Sequence, residues 1–183
     1  MTLKLSTLAI VLGLGMGLPQ IYGLVKPTAF AAAVRKFPRS IPWGWALTLL
    51  GTAWFLWNLS QESISDFEKW KPYLFAGFAA VGIGTCIFVK DFLAVRGLAV
   101  VLLLLAKLMV DTGRPKLPDT AWVLVFQGWA YLLVVAGIWF TVSPWRLRNL
   151  LEWGTADEKR VKLGCGIRLA FGLCIALLGV MKF

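Results

Sequence analysis

Six apolar stretches, five of them long enough to cross a bilayer, fill most of this 183-residue chain. Such a pattern makes hydrocarbon the surrounding medium, where every backbone N–H and C=O must be paired within the chain. That leaves helices and closed barrels. A barrel strand reads as about ten residues of alternating polarity, whereas these runs are continuously apolar. The expected class is therefore all-α, a polytopic membrane helix bundle. A spanning helix takes about 20 mainly apolar residues, which places six transmembrane helices at residues 5–24, 43–59, 73–89, 93–110, 121–142 and 165–183. The fourth has the shortest unbroken run, residues 98–106, with Arg96 and Lys107 near its ends. Composition agrees: 59% of residues are hydrophobic and 15% charged, against about half and a quarter in soluble domains.

The basic residues predict the orientation. Lys26, Arg35, Lys36, Arg39, Lys90, Arg96, Arg146, Arg148, Lys159, Arg160 and Lys162 follow the first, third and fifth spans. Only Lys4, Lys69, Lys71, Arg114, Lys116 and Lys182 fall on the other side. Basic loops stay cytoplasmic, so both termini are expected outside. The net charge of +10 then reads as a topology signal and as a surface for anionic headgroups. It is not a nucleic-acid footprint, because the charges are split among membrane-anchored loops. Trp43, Trp45, Trp70, Trp122, Trp145 and Trp153 stand near expected span ends, where an indole has its body in lipid and its N–H in water. Lys4 and the apolar run after it also imitate a signal peptide, although no small-residue cleavage site follows and Pro19 with Gln20 suits a helix end or kink.

The chain reads as a single integral membrane domain, residues 1–183, of three hairpins at about 5–59, 73–110 and 121–183. Two cytoplasmic turns carry amphipathic inserts. Phe30, Ala33, Val34 and Phe37 recur at helical spacing with Arg35 and Lys36 opposite; Leu147, Leu150 and Leu151 recur with Arg146 and Arg148 opposite. Both follow a proline, which suits a helix start. They are expected to be short interfacial helices, or else continuations of a span beyond a kink. The similar turns suggest an internal repeat. In the outer loop, residues 60–72, Ser65 and Glu68 can form a capping box, and Ile64, Phe67 and Trp70 recur about every third residue. A short helix or a plain loop fits there. The loop at 111–120, with two prolines and a glycine, is expected to be irregular.

Residues 17–34, with Pro19, Gly23, Lys26, Pro27 and Phe30, resemble the first hairpin of DoxX-like bacterial membrane proteins. They are also similar to small two-helix inner-membrane proteins of unknown function, as is residues 142–180 around Ser143, Pro144, Trp145 and Arg146. The resemblance covers the two ends of the chain and implies a bacterial cytoplasmic (inner) membrane.

No histidine is present, which removes the commonest metal ligand and general base. Cys86, Cys165 and Cys174 are widely separated and read as small apolar packers. No cofactor is expected. Gly13, Gly15 and Gly17 lack the strand and the acidic residue of a dinucleotide fingerprint. Lys107 with Arg114 and Pro115 resembles the first motif of type 2 phosphatidic acid phosphatases. That family needs two further histidines, so phosphatase chemistry is not expected.

The remaining candidates are physical rather than catalytic. Lys107 lies inside a span, where an ionisable group marks a function by default. It also has Asp111 four residues on as an ion-pair partner and a stem able to reach the interface. Arg96 and Arg168 read the same way. Gln127 and Tyr131 share a helix face, as do Thr48 and Thr52, either as packing glue or as the lining of a polar cavity. Lys107, Asp111, Arg114, Gln127 and Tyr131 thus form the candidate intramembrane polar site. Gly13, Gly17, Gly172 and Ala176 make small-xxx-small pairs for helix packing, within the chain or to a partner. The expected function is a non-enzymatic inner-membrane protein, a packing or accessory subunit among lipids, other membrane subunits or copies of itself. The alternative is a small permease or channel for a solute or lipid that uses Lys107 and Asp111.

Overall fold

The computed structural model describes residues 4–62 and 68–183. Among these the regular structure is helical, without strands. Eight α-helices follow one another: α1 Leu5–Val25, α2 Pro27–Lys36, α3 Ile41–Gln61, α4 Lys71–Phe88, α5 Leu93–Gly113, α6 Val123–Val142, α7 Trp145–Gly154 and α8 Glu158–Met181. Short 3₁₀ turns cover Phe37–Arg39, Glu68–Trp70 and Arg114–Lys116. Ile64, Ser65 and Phe67 of the expected outer helix lie outside the described residues.

Among the described residues five helical segments are long and apolar enough to cross a membrane: Leu5–Val25, Glu68–Phe88, Leu93–Lys116, Val123–Val142 and Glu158–Met181. The segment that falls short is α3, which carries Trp43, Trp45, Trp54 and Trp57 and ends in polar residues. An indole N–H makes tryptophan only partly apolar. The fourth expected span, interrupted by charges in the sequence, is instead the most apolar, with a mean hydropathy of 2.3. Its charges lie near the two ends of one continuous helix. The last helix starts at Glu158, seven residues before the expected Cys165, because the charged turn after Asp157 winds as the first turn of α8.

The two amphipathic segments are separate helices. Lys26 breaks the path from α1 with φ −129° and ψ 71°, and Pro27 opens α2 without needing an N–H partner. Ser143 and Pro144 separate α6 from α7. At the turn before α5, Phe92 adopts φ 53°. Left-handed backbone is unfavourable for a side chain by roughly 1–2 kcal/mol, but this one lets the Phe92 carbonyl accept from both Val95 and Arg96.

The chain forms two compact units. The first comprises residues 1–36, 105–135 and 148–183. Here α1 and α8 run antiparallel in close contact. Gly13 meets Gly172 and Ala176, Gly17 meets Leu169 and Gly172, and Gly179 meets Ser6 and Ala9. A Cβ on Gly172 would lie 2.6 Å from the Gly13 carbonyl oxygen, so only glycine allows this approach. The four residues expected to pack helices therefore do so within the chain. Met109, Phe126 and Ile175 are fully buried beside them, and Trp129 meets Phe171 edge to face at 5.5 Å.

The second unit comprises residues 37–104 and 136–147. Gly44 faces Leu93, Thr48 faces Gly97 and Gly51 faces Val100, a constant offset that makes α3 and α5 parallel. Thr52 against Gly82 and Phe55 against Phe78, the rings 4.8 Å apart, make α4 antiparallel to α3. Val95, Ala99 and Phe140 form a small core with Phe92 and Leu147.

Large apolar side chains stand exposed along the long helices, among them Leu18, Leu50, Phe88, Leu132 and Val180. In water so many exposed apolar groups would form patches far beyond those of a monomeric soluble domain. In hydrocarbon they are the surface the medium wets.

Candidate functional site

The five residues of the expected polar site have different surroundings. Lys107 Nζ donates to Asp111 Oδ2 at 2.8 Å on α5, and both side chains are about half exposed. Arg114 opens the exposed 3₁₀ turn after α5. Gln127 is 7% exposed and lies against Gly113, where a Cβ would come within 3.4 Å of its Nε2. Tyr131, one turn further along α6, is 58% exposed. One helical turn thus carries the chain from the core to the outer face, so shared spacing did not mean a shared environment. None of the four cavities described here includes any of the five residues.

The second unit assembles polar groups that the sequence left scattered. A cleft of about 240 Å³ lies among α3, α4 and α5. Thr48, Thr52, Thr85 and Arg96 line it together with Gly82 and Gly97. The threonines differ in what remains free. Thr52 Oγ1 donates to the Thr48 carbonyl at 2.8 Å, and Thr85 Oγ1 donates to the Val81 carbonyl at 2.7 Å. Both hydroxyl protons are thereby taken. Thr48 is 8% exposed. Its Oγ1 sits beside the Cys86 thiol, a weak hydrogen-bonding group, and has no hydrogen-bond partner of sound geometry. Arg96 Nε is also buried without a partner, and no carboxylate among the described residues pairs with this guanidinium. Buried polar groups are normally satisfied, so two orphans in one cleft mark it out.

The first unit has a different cleft, about 260 Å³, among α2, α7 and α8. Phe30 and Val34 of α2 form one wall, and Leu150 and Leu151 of α7 another. These are the apolar faces of the two amphipathic helices. Arg35 ties α2 to the turn after α7, its Nε donating to Thr155 Oγ1 at 2.7 Å and a terminal nitrogen donating to the Thr155 carbonyl. Arg160 lies over the Trp153 ring, 5.3 Å from its centroid.

No family model matches the chain, and no curated protein or solved structure does. Among the described residues no three His, Cys, Asp or Glu side chains gather as metal ligands. Cys86 and Cys165 are buried, whereas Cys174 is exposed. What the clefts offer chemically is guanidinium and hydroxyl donors set into apolar walls.

Sequence reasoning saw Thr48 and Thr52 as a pair and Arg96 as a snorkelling residue. It did not connect them, because Thr85 and Arg96 lie on other helices. Gly44, Gly51 and Gly97, where α3 and α5 touch, are the sequence signal of that close helix approach.

Proposed function

We propose that this chain is a multi-pass protein of a bacterial cytoplasmic membrane that works by lateral packing against lipids and other membrane subunits, without a catalytic centre of its own. On this reading α3 completes six spans in three hairpins, and both termini face outward. The excess of Lys and Arg after the first, third and fifth spans supports that orientation.

One observation carries the packing role. Of the 18 residues of α4, only Gly82 and Cys86 are buried. The rest of the helix presents Tyr73, Phe78, Val81, Ile83, Ile87 and Phe88 outward. Small-residue faces no longer supply this argument, since Gly13, Gly17, Gly172 and Ala176 are used between α1 and α8. Among the five segments apolar enough to span, the one containing α4 is the least buried, 11% against 28–44% for the others, which makes its lateral face the one most open to a neighbour. Transport through Lys107 and Asp111 has less support, because the pair satisfies itself on a half-exposed face.

A photo-crosslinking residue at Ile83 or Phe88 tests the role in native membranes. A defined protein adduct is expected. Adducts with lipid alone would reject the subunit role and leave the membrane placement standing. Cysteines placed at Arg35 or Lys159 should resist impermeant labelling from outside intact cells; labelling there would overturn the orientation.

A further inference from the structure

The cleft of α3, α4 and α5 is graded along its length. Thr48, Thr85 and Arg96 stand at one end, Gly51, Thr52 and Gly82 follow, and Phe55 with Phe78 closes the other. Cross-helix neighbours fix this order: Thr48 lies by Gly97, Gly51 by Val100, Thr52 by Gly82 and Phe55 on Phe78. A polar end therefore continues into an apolar trough.

The polar end is unsatisfied. Thr48 Oγ1 and Arg96 Nε are both buried without partners. A guanidinium stays charged, and a buried Nε–H that finds no acceptor is costly. Closing the helices further would not cover the gap. At Gly44, Gly51, Gly82 and Gly97 the facing helices already touch so closely that a Cβ would crowd its neighbour. The cleft persists with a hydroxyl donor and a cation at one end, which is the donor set for an anion.

Its mouth faces sideways. Val81 on the wall is 65% exposed, and Phe78 and Val100 are exposed beside it. These are apolar groups, so an occupant arrives from the bilayer. Arg96 stands one turn inside α5, which starts at Leu93. That is the depth of a headgroup, with hydrocarbon beyond. The volume, about 240 Å³, falls below the roughly 300–1,000 Å³ of pockets that enclose a whole small ligand. It suits one chain segment of a larger molecule.

The geometry points to a site for a single anionic phospholipid, its phosphate on Arg96 and Thr48 and one acyl chain along Gly82 and Val81 toward Phe78. This site deepens the lipid-packing role and rests on the chain being membrane-embedded.

The test uses the full chain in an uncharged detergent, with lipid retention read by native mass spectrometry and stability by thermal unfolding. Phosphatidylglycerol should be retained about fivefold better than phosphatidylcholine and should raise the unfolding midpoint. Inorganic phosphate should not replace it. Arg96→Gln should abolish the preference, and Thr48→Val should weaken it while keeping the shape of the side chain. Val81→Phe, enlarging an exposed wall, should lower retention of both lipids. Arg168→Gln, at an exposed arginine of the other unit, should leave the preference intact. Equal retention of the two lipids, an unchanged preference in Arg96→Gln, or the full effect from phosphate alone would each overturn the site. If Arg96→Gln does not fold, Thr48→Val decides: an undiminished preference there overturns it. A chain that stays dissolved without detergent would instead overturn the membrane reading, so the two failures are distinct.

Discussion

Replacing Gly172 by alanine should separate α1 from α8, and the structure sets the size of the effect. The new Cβ would lie 2.6 Å from the Gly13 oxygen, 3.0 Å from the Gly17 nitrogen and 3.1 Å from the Gly17 Cα. Favourable carbon–oxygen contacts begin at about 3.3 Å, so the helices must part locally by about 0.7 Å. All three obstructing atoms are backbone and none can rotate aside. Overpacking of this kind costs about 1–3 kcal/mol, and the upper half of that range applies here. Alanine returns up to about 1 kcal/mol through helix propensity. Gly166, on the same helix, isolates that second effect: its Cβ would meet nothing within 4 Å. The two variants should therefore differ by about 2–3 kcal/mol, whatever propensity contributes in a bilayer. That difference is about 5–10 °C in unfolding midpoint for a chain of this size. The cysteines provide the readout, since Cys174 is exposed while Cys86 and Cys165 are buried. After Cys174 is blocked in the folded state, a thiol-reactive fluorophore reports unfolding through the other two. Equal midpoints for Gly172→Ala and Gly166→Ala would refute the close approach of α1 and α8.

Three smaller perturbations follow from the same structure. Lys107→Met removes a half-exposed i, i+4 ion pair, so stability measured by the same thermal assay should change by no more than about 0.5 kcal/mol, and a loss of several times that would mean the lysine has a buried role. Arg35→Ala deletes both hydrogen bonds to Thr155; amide exchange in residues 27–36 should quicken about fivefold, with the global midpoint nearly constant, as expected for about 1 kcal/mol of local stabilisation. Thr48→Val removes a buried, unpartnered hydroxyl and should stabilise the lipid-free protein by about 1 kcal/mol; a loss of stability would show that the hydroxyl is already bonded.

What the sequence disclosed depended on whether the deciding interaction was local. Helix class and the six long helices followed from apolar runs, and α2 and α7 from amphipathic spacing with a preceding proline. The glycines of α1 and α8 were legible as well, because a small-xxx-small face needs a close neighbour wherever that neighbour comes from. Helix starts were less legible: α8 begins in the charged turn at Glu158, since backbone bonding does not depend on apolar side chains. Environment was least legible. Gln127 and Tyr131 are four residues apart, yet one is buried and the other exposed, which depends on which helices cover that part of α6. The cleft was invisible for the same reason. Its threonines and arginine come from three helices, and no spacing within one helix joins Thr48 to Thr85 or Arg96.

Arg96 and Arg168 show how far that distinction reaches. Each lies in a long helix near a basic end, and sequence gives both the same explanation, a long stem carrying its charge to the interface. The structure separates them. Arg168 is exposed, although it lines the cleft of α2, α7 and α8. The Nε of Arg96 is buried in the cleft that Thr48 also lines, and at the adjacent Gly97 α3 comes so close that a Cβ would lie 2.7 Å from the Thr48 nitrogen. An exposed arginine can be exchanged for lysine with little consequence, because water and headgroups solvate either cation. One whose Nε is buried in a cleft cannot, because ammonium is a compact point charge without the planar fork that binds phosphate through two parallel donors. Arg168→Lys should therefore preserve both stability and lipid retention. Arg96→Lys should lose phosphatidylglycerol preference even though the positive charge is kept. Full retention by Arg96→Lys would mean that the cleft attracts anions by charge alone and that guanidinium geometry has no part in recognition.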